Sequence, residues 1–214
     1  MNILVVAAHP DDEVLGMGGT IKKLTKKGHI VNLCVVTEGT TAQYTDEKMI
    51  EIRKKSCKNS SKILGIKNII FCDLPDQQLE TIPNSQINLK LENVIKKYKP
   101  EIVYTTPFND LNKDHQRVHE STLVATRPFL TSVKQILAYE IPSITRTPFC
   151  PNVFENITNE LSYKIKAFKK YSTEIEKFPH TRSIEAIESL ALHRGFESGL
   201  ERAESFQLIR NIRN

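Results

Sequence analysis

The stretch Ile3-Leu4-Val5-Val6-Ala7-Ala8-His9-Pro10-Asp11-Asp12-Glu13 joins a continuous apolar run to a cluster of polar side chains. A short apolar run bounded by turn signals is typical of a buried strand. Pro10 fixes its own backbone and disfavours a helical conformation for His9, so we expect His9 to be the last strand residue. A helix should begin near Asp12, because acidic side chains are stabilised at helix N-termini. The stretch therefore predicts a strand, a sharp turn and a helix.

Two interpretations fit the polar side chains of this turn. Asp11 and Asp12 are adequately explained as a helix cap with acids that complement the helix dipole. That interpretation does not explain the imidazole of His9 at the end of a buried strand. His9 and Asp12 are three residues apart and can turn toward one point, which favours a metal site.

Strands alternate with helices beyond this stretch, which is typical of a parallel sheet. Right-handed crossovers would give the strand order 3-2-1-4-5, and ligands bind at the carboxyl ends where that order reverses, between strands one and four. We expect an α/β fold in one domain over 1–214, with an open, mostly parallel Rossmann-like sheet flanked by helices and a helical C-terminal part. The predicted strands are 3–8, 30–37, 68–72, 102–106 and 134–140, and the predicted helices are 13–27, 46–64, 86–98, 114–126, 160–173 and 183–210.

Glycines mark the first predicted helix. Gly28 stands where a glycine commonly ends a helix. Gly16, Gly18 and Gly19 would let the backbone pass close to another element or to a bound group. They do not form the dinucleotide-binding fingerprint, because the third glycine of that motif is missing at the required spacing. A nucleotide- or flavin-dependent enzyme is therefore disfavoured.

A second polar cluster, Asn109–His119, follows the fourth predicted strand. Asp114 can cap the helix that begins there, and His115 and His119 are four residues apart on one helix face. Two histidines at this spacing can both bind a metal, although such a pair is often without function. The predicted topology favours the metal interpretation, because strand four should lie beside strand one and its His9.

Composition and charge limit the classes of protein to which this chain can belong. The 214 residues carry a net charge of +5, with Lys and Arg spread along the chain, which indicates a solvated surface rather than a nucleic-acid interface. The four cysteines form no Cys-x-x-Cys pair, which disfavours a zinc site built from them and fits a reducing cytoplasm. The N-terminus lacks the pattern of a leader peptide, and no apolar run is long enough to span a bilayer.

Ala8-His9-Pro10-Asp11-Asp12-Glu13 resembles the signature of the LmbE-like zinc de-N-acetylases. The resemblance implies that His9 and Asp12 bind zinc and that Asp11 is the general base. The family's second motif usually reads His-Pro-Asp-His, and its last His is the third zinc ligand. The matching residues here are Asn112-Lys113-Asp114-His115, so the resemblance implies His115 as the third ligand.

The second motif departs from the family pattern at Asn112. Many members have a His there that is thought to stabilise the developing oxyanion; Asn can donate a hydrogen bond but cannot carry a positive charge. Asp114 would orient a neighbouring side chain, as carboxylates around metal ligands do. His119 is a candidate for a similar outer position.

The resemblance also implies substrate contacts for Arg53 in the second helix, where members often place an arginine that reaches the site. Asp76, in the loop after the third strand, could bind sugar hydroxyls. Plain alternatives are a surface arginine and a turn aspartate. Phe178–Ser183 and Ala203–Phe206 also look like bacterial members, and His180 and Arg182 could either reach the cleft or cap the last helix.

The resemblance implies a zinc-dependent hydrolase that removes an N-acetyl group from an amino sugar or an amino-sugar conjugate. Its binding partner would be that small molecule. The resemblance also allows a homo-oligomer, because relatives are often oligomeric. The alternative is a non-catalytic sugar or nucleotide-sugar binding module, since a fold alone does not fix an activity. The enzyme is favoured because the sequence has all four of the residues His9, Asp11, Asp12 and His115. A binding module would need no free base.

Overall fold

The computed structural model describes residues 1–40, 48–142 and 145–213. Its elements alternate between strand and helix as far as the fifth strand, as the sequence predicts. No described helix is long and apolar enough to cross a membrane. The elements in chain order are β1 Asn2–Ala7, α1 Asp12–Lys26, β2 Ile30–Thr37, α2 Lys48–Leu64, β3 Asn68–Leu74, a short 3-10 helix Leu79–Thr81, α3 Asn84–Tyr98, β4 Ile102–Thr105, α4 Lys113–Ala125, β5 Gln135–Tyr139, β6 Val153–Asn156, α5 Leu161–Phe168, α6 Ile184–Glu197 and β7 Ala203–Asn211.

The sheet has the strand order β3-β2-β1-β4-β5-β7-β6. Its first five strands are parallel and stand in the predicted order, so β1 and β4 are neighbours. The predicted α/β class with a mostly parallel sheet is therefore confirmed. The carboxyl ends of β1 and β4 lie side by side at the position where the strand order reverses, which is where such sheets bind ligands.

The core consists of two apolar layers, one on each face of the sheet. Ile3, Val5 and Ala7 of β1 belong to the layer that also contains side chains of α1, α2 and α5. The alternate residues Leu4 and Val6 belong to the layer formed with α3 and α4. Because successive strand residues point to opposite faces, an unbroken apolar run is needed where helices cover both sides. This requirement explains the opening sequence of the chain.

The C-terminal part differs from the prediction of two helices. The helix predicted over 183–210 ends at Glu197, and Ala203–Asn211 is β7, which pairs antiparallel with both β5 and β6. Gly199, at φ 73°, directly follows the helix end and supplies a turn that other residues rarely adopt. Phe206 and Leu208 are separated by the polar Gln207, and this two-residue period is a strand signal that the helix prediction did not follow.

Two smaller differences also concern the C-terminal part. The helix predicted over 160–173 ends at Phe168 as α5, and its last residues form turns instead. β6 lies between the strand predicted over 134–140 and the helix predicted over 160–173, where no strand was expected. Among the described strands β6 pairs with β7 alone, so a four-residue strand there depends on a neighbour that sequence patterns did not reveal.

The glycines of α1 have the role expected of them. A Cβ at Gly16 would stand 2.3 Å from Cδ2 of Tyr139, and one at Gly19 would stand 2.8 Å from Cβ of Ile157. Both distances are well inside van der Waals contact. The glycines therefore let α1 lie close to β5 and to the segment after β6, which fixes the start of α1 beneath the strand ends.

Candidate metal centre

His9, Asp12 and His115 form one buried cluster at the carboxyl ends of β1 and β4. His9 Nδ1 is 3.2 Å from His115 Nε2 and 3.5 Å from Asp12 Oδ2, and His115 Nε2 is 3.4 Å from Asp12 Oδ1. The tertiary structure thus brings together the three residues that the sequence predicted as metal ligands, although two of them are more than a hundred residues from the third.

Local geometry places the first two of these side chains. β1 ends at Ala7, two residues earlier than expected, and the turn reaches α1 at Asp12 as predicted. Asp12 Oδ2 accepts a hydrogen bond from the backbone N–H of His9 at 2.8 Å, which folds the turn back on itself. The side chains of His9 and Asp12 therefore converge on one point beyond the strand end.

His115 is placed by the first turn of α4. The Asn112 side chain caps this helix, with Oδ1 accepting from the backbone N–H of Asp114 at 2.9 Å. Thr106 Oγ1 donates to the carbonyl oxygen of His115 at 2.8 Å and holds the helix start against the end of β4. His119 lies one turn further on and hydrogen-bonds through Nδ1 to the carbonyl oxygen of Thr106 at 2.8 Å, so it supports this junction.

Carboxylates orient the far nitrogen of each imidazole. His9 Nε2 is 3.1 Å from both Asp114 Oδ2 and Asp76 Oδ1. His115 Nδ1 is 2.8 Å from Asp110 Oδ2. An imidazole held in this way keeps its other nitrogen directed at a metal, and the carboxylate makes that nitrogen more basic.

Asp114 and Asp76 are thus found in contact with a candidate ligand. Asp114 is fully buried, and its two oxygens also accept from the backbone N–H groups of Gln77 and Leu79. These bonds attach the loop after β3 to the start of α4. Asp76 lies in that loop, directly before Gln77, and its contact with His9 gives it an orienting position. Asp110 was not singled out from the sequence; its only signal was a carboxylate five residues before His115.

The electrostatics of the cluster favour a bound cation. Burial lowers the pKa of His115, but the carboxylates of Asp12 and Asp110 outweigh it and raise that pKa to about 9. Burial likewise opposes the ionisation of Asp12, yet His115 and His9 hold its pKa well below the usual range. Positive charge is therefore stabilised at the centre of the cluster.

The donor set fits a zinc ion in spacing as well as in chemistry. Ligand atoms on a tetrahedral zinc at Zn–N distances near 2.0–2.1 Å stand about 3.4 Å apart. The two imidazole nitrogens, His9 Nδ1 and His115 Nε2, are 3.2 Å apart, and each stands at a similar distance from one of the two oxygens of Asp12, at 3.5 Å from Oδ2 and at 3.4 Å from Oδ1, respectively. Three protein ligands of this kind leave a fourth position open, as in catalytic zinc sites.

The Asp11 carboxylate faces two arginines and is not one of the three candidate ligands. It is fully buried, and neither oxygen accepts a hydrogen bond from the described part of the chain. Arg53 Nη2 stands 3.6 Å from Oδ1, and Arg182 Nη2 stands 3.6 Å from Oδ2. Burial raises the pKa of Asp11 to about 6, while the two guanidinium groups act in the opposite direction. The arrangement gives a poorly solvated carboxylate beside the candidate metal centre.

The two arginines occupy different surroundings. Arg53 is buried and donates through Nη2 to the carbonyl oxygen of Pro10 at 2.7 Å. It also pairs with Glu174, so its guanidinium group is held by other protein groups beside Asp11. Arg182 is half-buried and reaches Asp11 from the segment before α6. Of the two alternatives for Arg182, contact with the site is the one observed. Glu174 was missed from the sequence, because an isolated Glu after a helix carries no signal.

The fold and the cluster define an α/β protein with a candidate metal centre where its strand order reverses. The family model of GlcNAc-PI de-N-acetylase (PIG-L) matches residues 4–126. An uncharacterized deacetylase of Escherichia coli, YaiS, is 36% identical over 177 residues, which cover 80% of this chain and 90% of that protein. The chain therefore belongs to the PIG-L family of deacetylases, as its LmbE-like motifs predicted.

Other relatives extend the similarity over nearly the whole chain. The diacetylchitobiose deacetylase of Thermococcus kodakarensis is 26% identical over 226 residues, covering 98% of this chain and 84% of that protein. The N,N'-diacetylchitobiose deacetylase of Pyrococcus horikoshii superposes with a TM-score of 0.81 at 24% identity, over 98% of this chain and 84% of that one.

The same fold also carries a different chemistry. GalB, the 4-carboxy-2-hydroxymuconate hydratase of Pseudomonas putida, superposes with a TM-score of 0.81 at 21% identity, covering 100% of this chain and 98% of that one. The similarity in fold alone therefore does not select a reaction. Membership of the deacetylase family and the sequence relatives indicate an amide hydrolase.

Proposed function

We propose that this protein is a zinc-dependent N-deacetylase that hydrolyses the acetamide of an amino sugar or an amino-sugar conjugate. The observation that carries the proposal is the Asp11 carboxylate, buried without a hydrogen-bond partner in the described residues and adjacent in sequence to a candidate ligand that points elsewhere. A purely structural carboxylate would be expected to have its hydrogen bonds satisfied. A general base, in contrast, needs a carboxylate oxygen that can accept the proton of a bound water.

His9, Asp12 and His115 would hold the zinc. When bound, zinc supplies a water of lowered pKa and polarises the amide carbonyl. The residues of the chain do the remaining work. Asp11 takes the proton of the attacking water and passes it to the amine that leaves, so that acetate and a free amino group are formed. Asp76, Asp114 and Asp110 keep the two imidazoles in the orientation that a ligand requires.

Asn112 would assist at the carbonyl oxygen of the substrate. Its Oδ1 accepts the capping hydrogen bond of α4, and its Nδ2 hydrogens can be donated to the negative charge that develops there. A direct substrate contact for Arg53 or Asp76 stays a prediction. For each, the observed contact is with Asp11 or with His9.

Relatives whose names state a substrate support the substrate class. They include a diacetylchitobiose deacetylase, a probable N-acetyl-alpha-D-glucosaminyl L-malate deacetylase of Bacillus cereus and a 1D-myo-inositol 2-acetamido-2-deoxy-alpha-D-glucopyranoside deacetylase of Kineococcus radiotolerans. All three act on an N-acetylated glucosamine unit and differ in what is attached to it. The proposal is therefore specific for the acetamide and leaves the attached group to experiment.

The test is acetate release by the zinc-loaded protein. The panel contains N-acetylglucosamine in free, nucleotide-linked, malate-linked, inositol-linked and oligomeric forms. We expect acetate from at least one member, and loss of kcat by roughly 10²- to 10⁴-fold in Asp11→Asn, with zinc still bound. Asp73→Asn, at an exposed position, is the matched control and should behave as the wild type. Binding of a panel member without acetate release would instead support the binding-module alternative.

A further inference from the structure

The backbone of Asp11 has a conformation that non-glycine residues rarely adopt, with φ 123° and ψ −23°. Strain of this kind costs about 1–3 kcal/mol and persists only where surrounding groups enforce it. The side chains of Asp11 and its neighbour face different groups. Asp12 points toward His9 and His115, whereas its neighbour Asp11 points toward Arg53 and Arg182.

One set of contacts holds the backbone of Asp11. Its N–H donates to Glu13 Oε2 at 3.2 Å, and the other carboxylate oxygen of Glu13, Oε1, accepts from the hydroxyl of Tyr171 at 2.6 Å. Asp11, Glu13 and Tyr171 are all fully buried. Tyr171 therefore holds the Glu13 carboxylate, and that carboxylate accepts the hydrogen bond from the strained Asp11 backbone.

A second set of contacts holds the side chain of Asp11. Glu174 Oε1 is 2.8 Å from Arg53 Nη1, and Glu174 Oε2 is 2.8 Å from Arg182 Nη1. Each arginine presents its other terminal nitrogen to one oxygen of Asp11. Glu174 thus spaces the two guanidinium groups so that they face the two oxygens of one carboxylate, and the four charges cancel.

Both sets of contacts originate in one short turn. The backbone N–H of Glu174 donates to the carbonyl oxygen of Tyr171 at 2.9 Å, just after α5. This turn lies outside the residues matched by the family model, which end at 126. We infer that the Tyr171–Glu174 turn is the positioning element of Asp11: Tyr171 acts through Glu13 on its backbone, and Glu174 acts through two arginines on its carboxylate. The inference rests on the proposed function of Asp11 as general base.

The inference separates turnover from binding. A base that is displaced from the attacking water lowers the rate of the chemical step. The metal ligands are untouched by these substitutions, and the inference assigns Arg53 to Asp11 rather than to a substrate contact. We therefore expect Tyr171→Phe and Glu174→Gln each to lower kcat by roughly 10- to 100-fold, because small errors in position cost that much. KM for the best panel substrate and the affinity for zinc should stay within about twofold of wild type.

The matched controls lie elsewhere on the molecule. Tyr163→Phe removes a hydroxyl from a half-buried tyrosine of α5 that packs against lysines. Glu160→Gln alters a buried glutamate that pairs with Lys26. Both controls should keep the wild-type kcat.

A second measurement does not depend on activity. The amide of Asp11 is protected by Glu13, so its hydrogen exchange, followed by NMR, should become faster in Tyr171→Phe and stay unchanged in Tyr163→Phe. Tyr171→Phe tests the contacts that hold the backbone of Asp11, and Glu174→Gln tests those that hold its side chain. If one variant does not fold, the other still tests the turn. Wild-type kcat in both Tyr171→Phe and Glu174→Gln would overturn the inference, as would a loss that resides in KM or in zinc affinity.

The two proposals fail in different ways. A zinc-loaded wild type that releases no acetate from any substrate would contradict the proposed function. In that event the exchange of the Asp11 amide decides the inference about the turn. Unchanged exchange in Tyr171→Phe would show that the turn does not hold the backbone of Asp11.

Discussion

At the scale of single residues, Asn112 combines a structural contact with a proposed chemical one. Its Oδ1 caps α4, and only its Nδ2 can donate toward substrate. Asn112→Asp keeps an acceptor for the cap and removes the donor. We expect unchanged thermal stability and a lower kcat, whereas Asn112→Ala should also lose about 0.5–2 kcal/mol of stability with the cap. Thermal unfolding and acetate release on both variants check this. An unchanged kcat in Asn112→Asp would exclude Asn112 as the donor.

Asp110 makes a contact with His115 that the structure revealed and the sequence did not. Its Oδ2 is 2.8 Å from His115 Nδ1, while its Oδ1 accepts from the backbone N–H of Asn112 at 2.9 Å. Asp110→Asn retains one acceptor oxygen for these two donors. We expect zinc affinity to fall by roughly 10- to 100-fold, as measured by competition with a chelator. His115→Ala should lose the metal altogether; if His119→Ala did so instead, the ligand assignment would be wrong.

At the scale of elements, the close approach of α1 to β5 depends on Gly16. A methyl group there would overlap the ring of Tyr139, whose hydroxyl donates to the carbonyl oxygen of Val6 at 2.9 Å. Overpacking of this kind costs about 1–3 kcal/mol, against roughly 1 kcal/mol gained by Ala in a helix. We expect Gly16→Ala to be destabilised in denaturant unfolding. Gly18→Ala is the control, since its nearest neighbours are the side chains of Val14 and Lys164 at 3.0 and 3.1 Å, and should be nearly neutral.

At the scale of the whole molecule, the candidate metal site links the end of β1 with α1 and α4 through buried side chains. A ligand present at 100 times its Kd stabilises the folded state by about 2.7 kcal/mol. For a chain of this length that corresponds to a rise in Tm of roughly 5–11 °C. We therefore expect Tm to fall when zinc is removed with a chelator and to recover when it is returned. The same additions should leave the Tm of His115→Ala unchanged, and a zinc-independent Tm of the wild type would contradict the site.

Patterns in the sequence were sufficient to predict the parallel part of the sheet. The apolar runs of β1 and β2 are long enough to be buried on both faces, and their pairing order follows from the handedness of the crossovers. The sequence also determined the turn of His9–Asp12, because proline, adjacent acids and a helix start act over a few neighbouring residues. Local chemistry of this kind can be read without knowing what lies beside it. The family resemblance then selected His115 over His119, which spacing alone left open.

The tertiary structure alone decided what packs against these elements. β7 is a strand because β5 and β6 offer hydrogen bonds on both of its sides, and the preference of its residues for a helix is weaker than that pairing. Asp110, Tyr171 and Glu174 likewise gain their contacts only when distant segments meet at the strand ends. Asp11 keeps its strained backbone for the same reason, since the residues that hold it lie up to 171 residues along the chain. Nearest-neighbour patterns cannot encode such contacts, because their energies arise only after the chain has closed on itself.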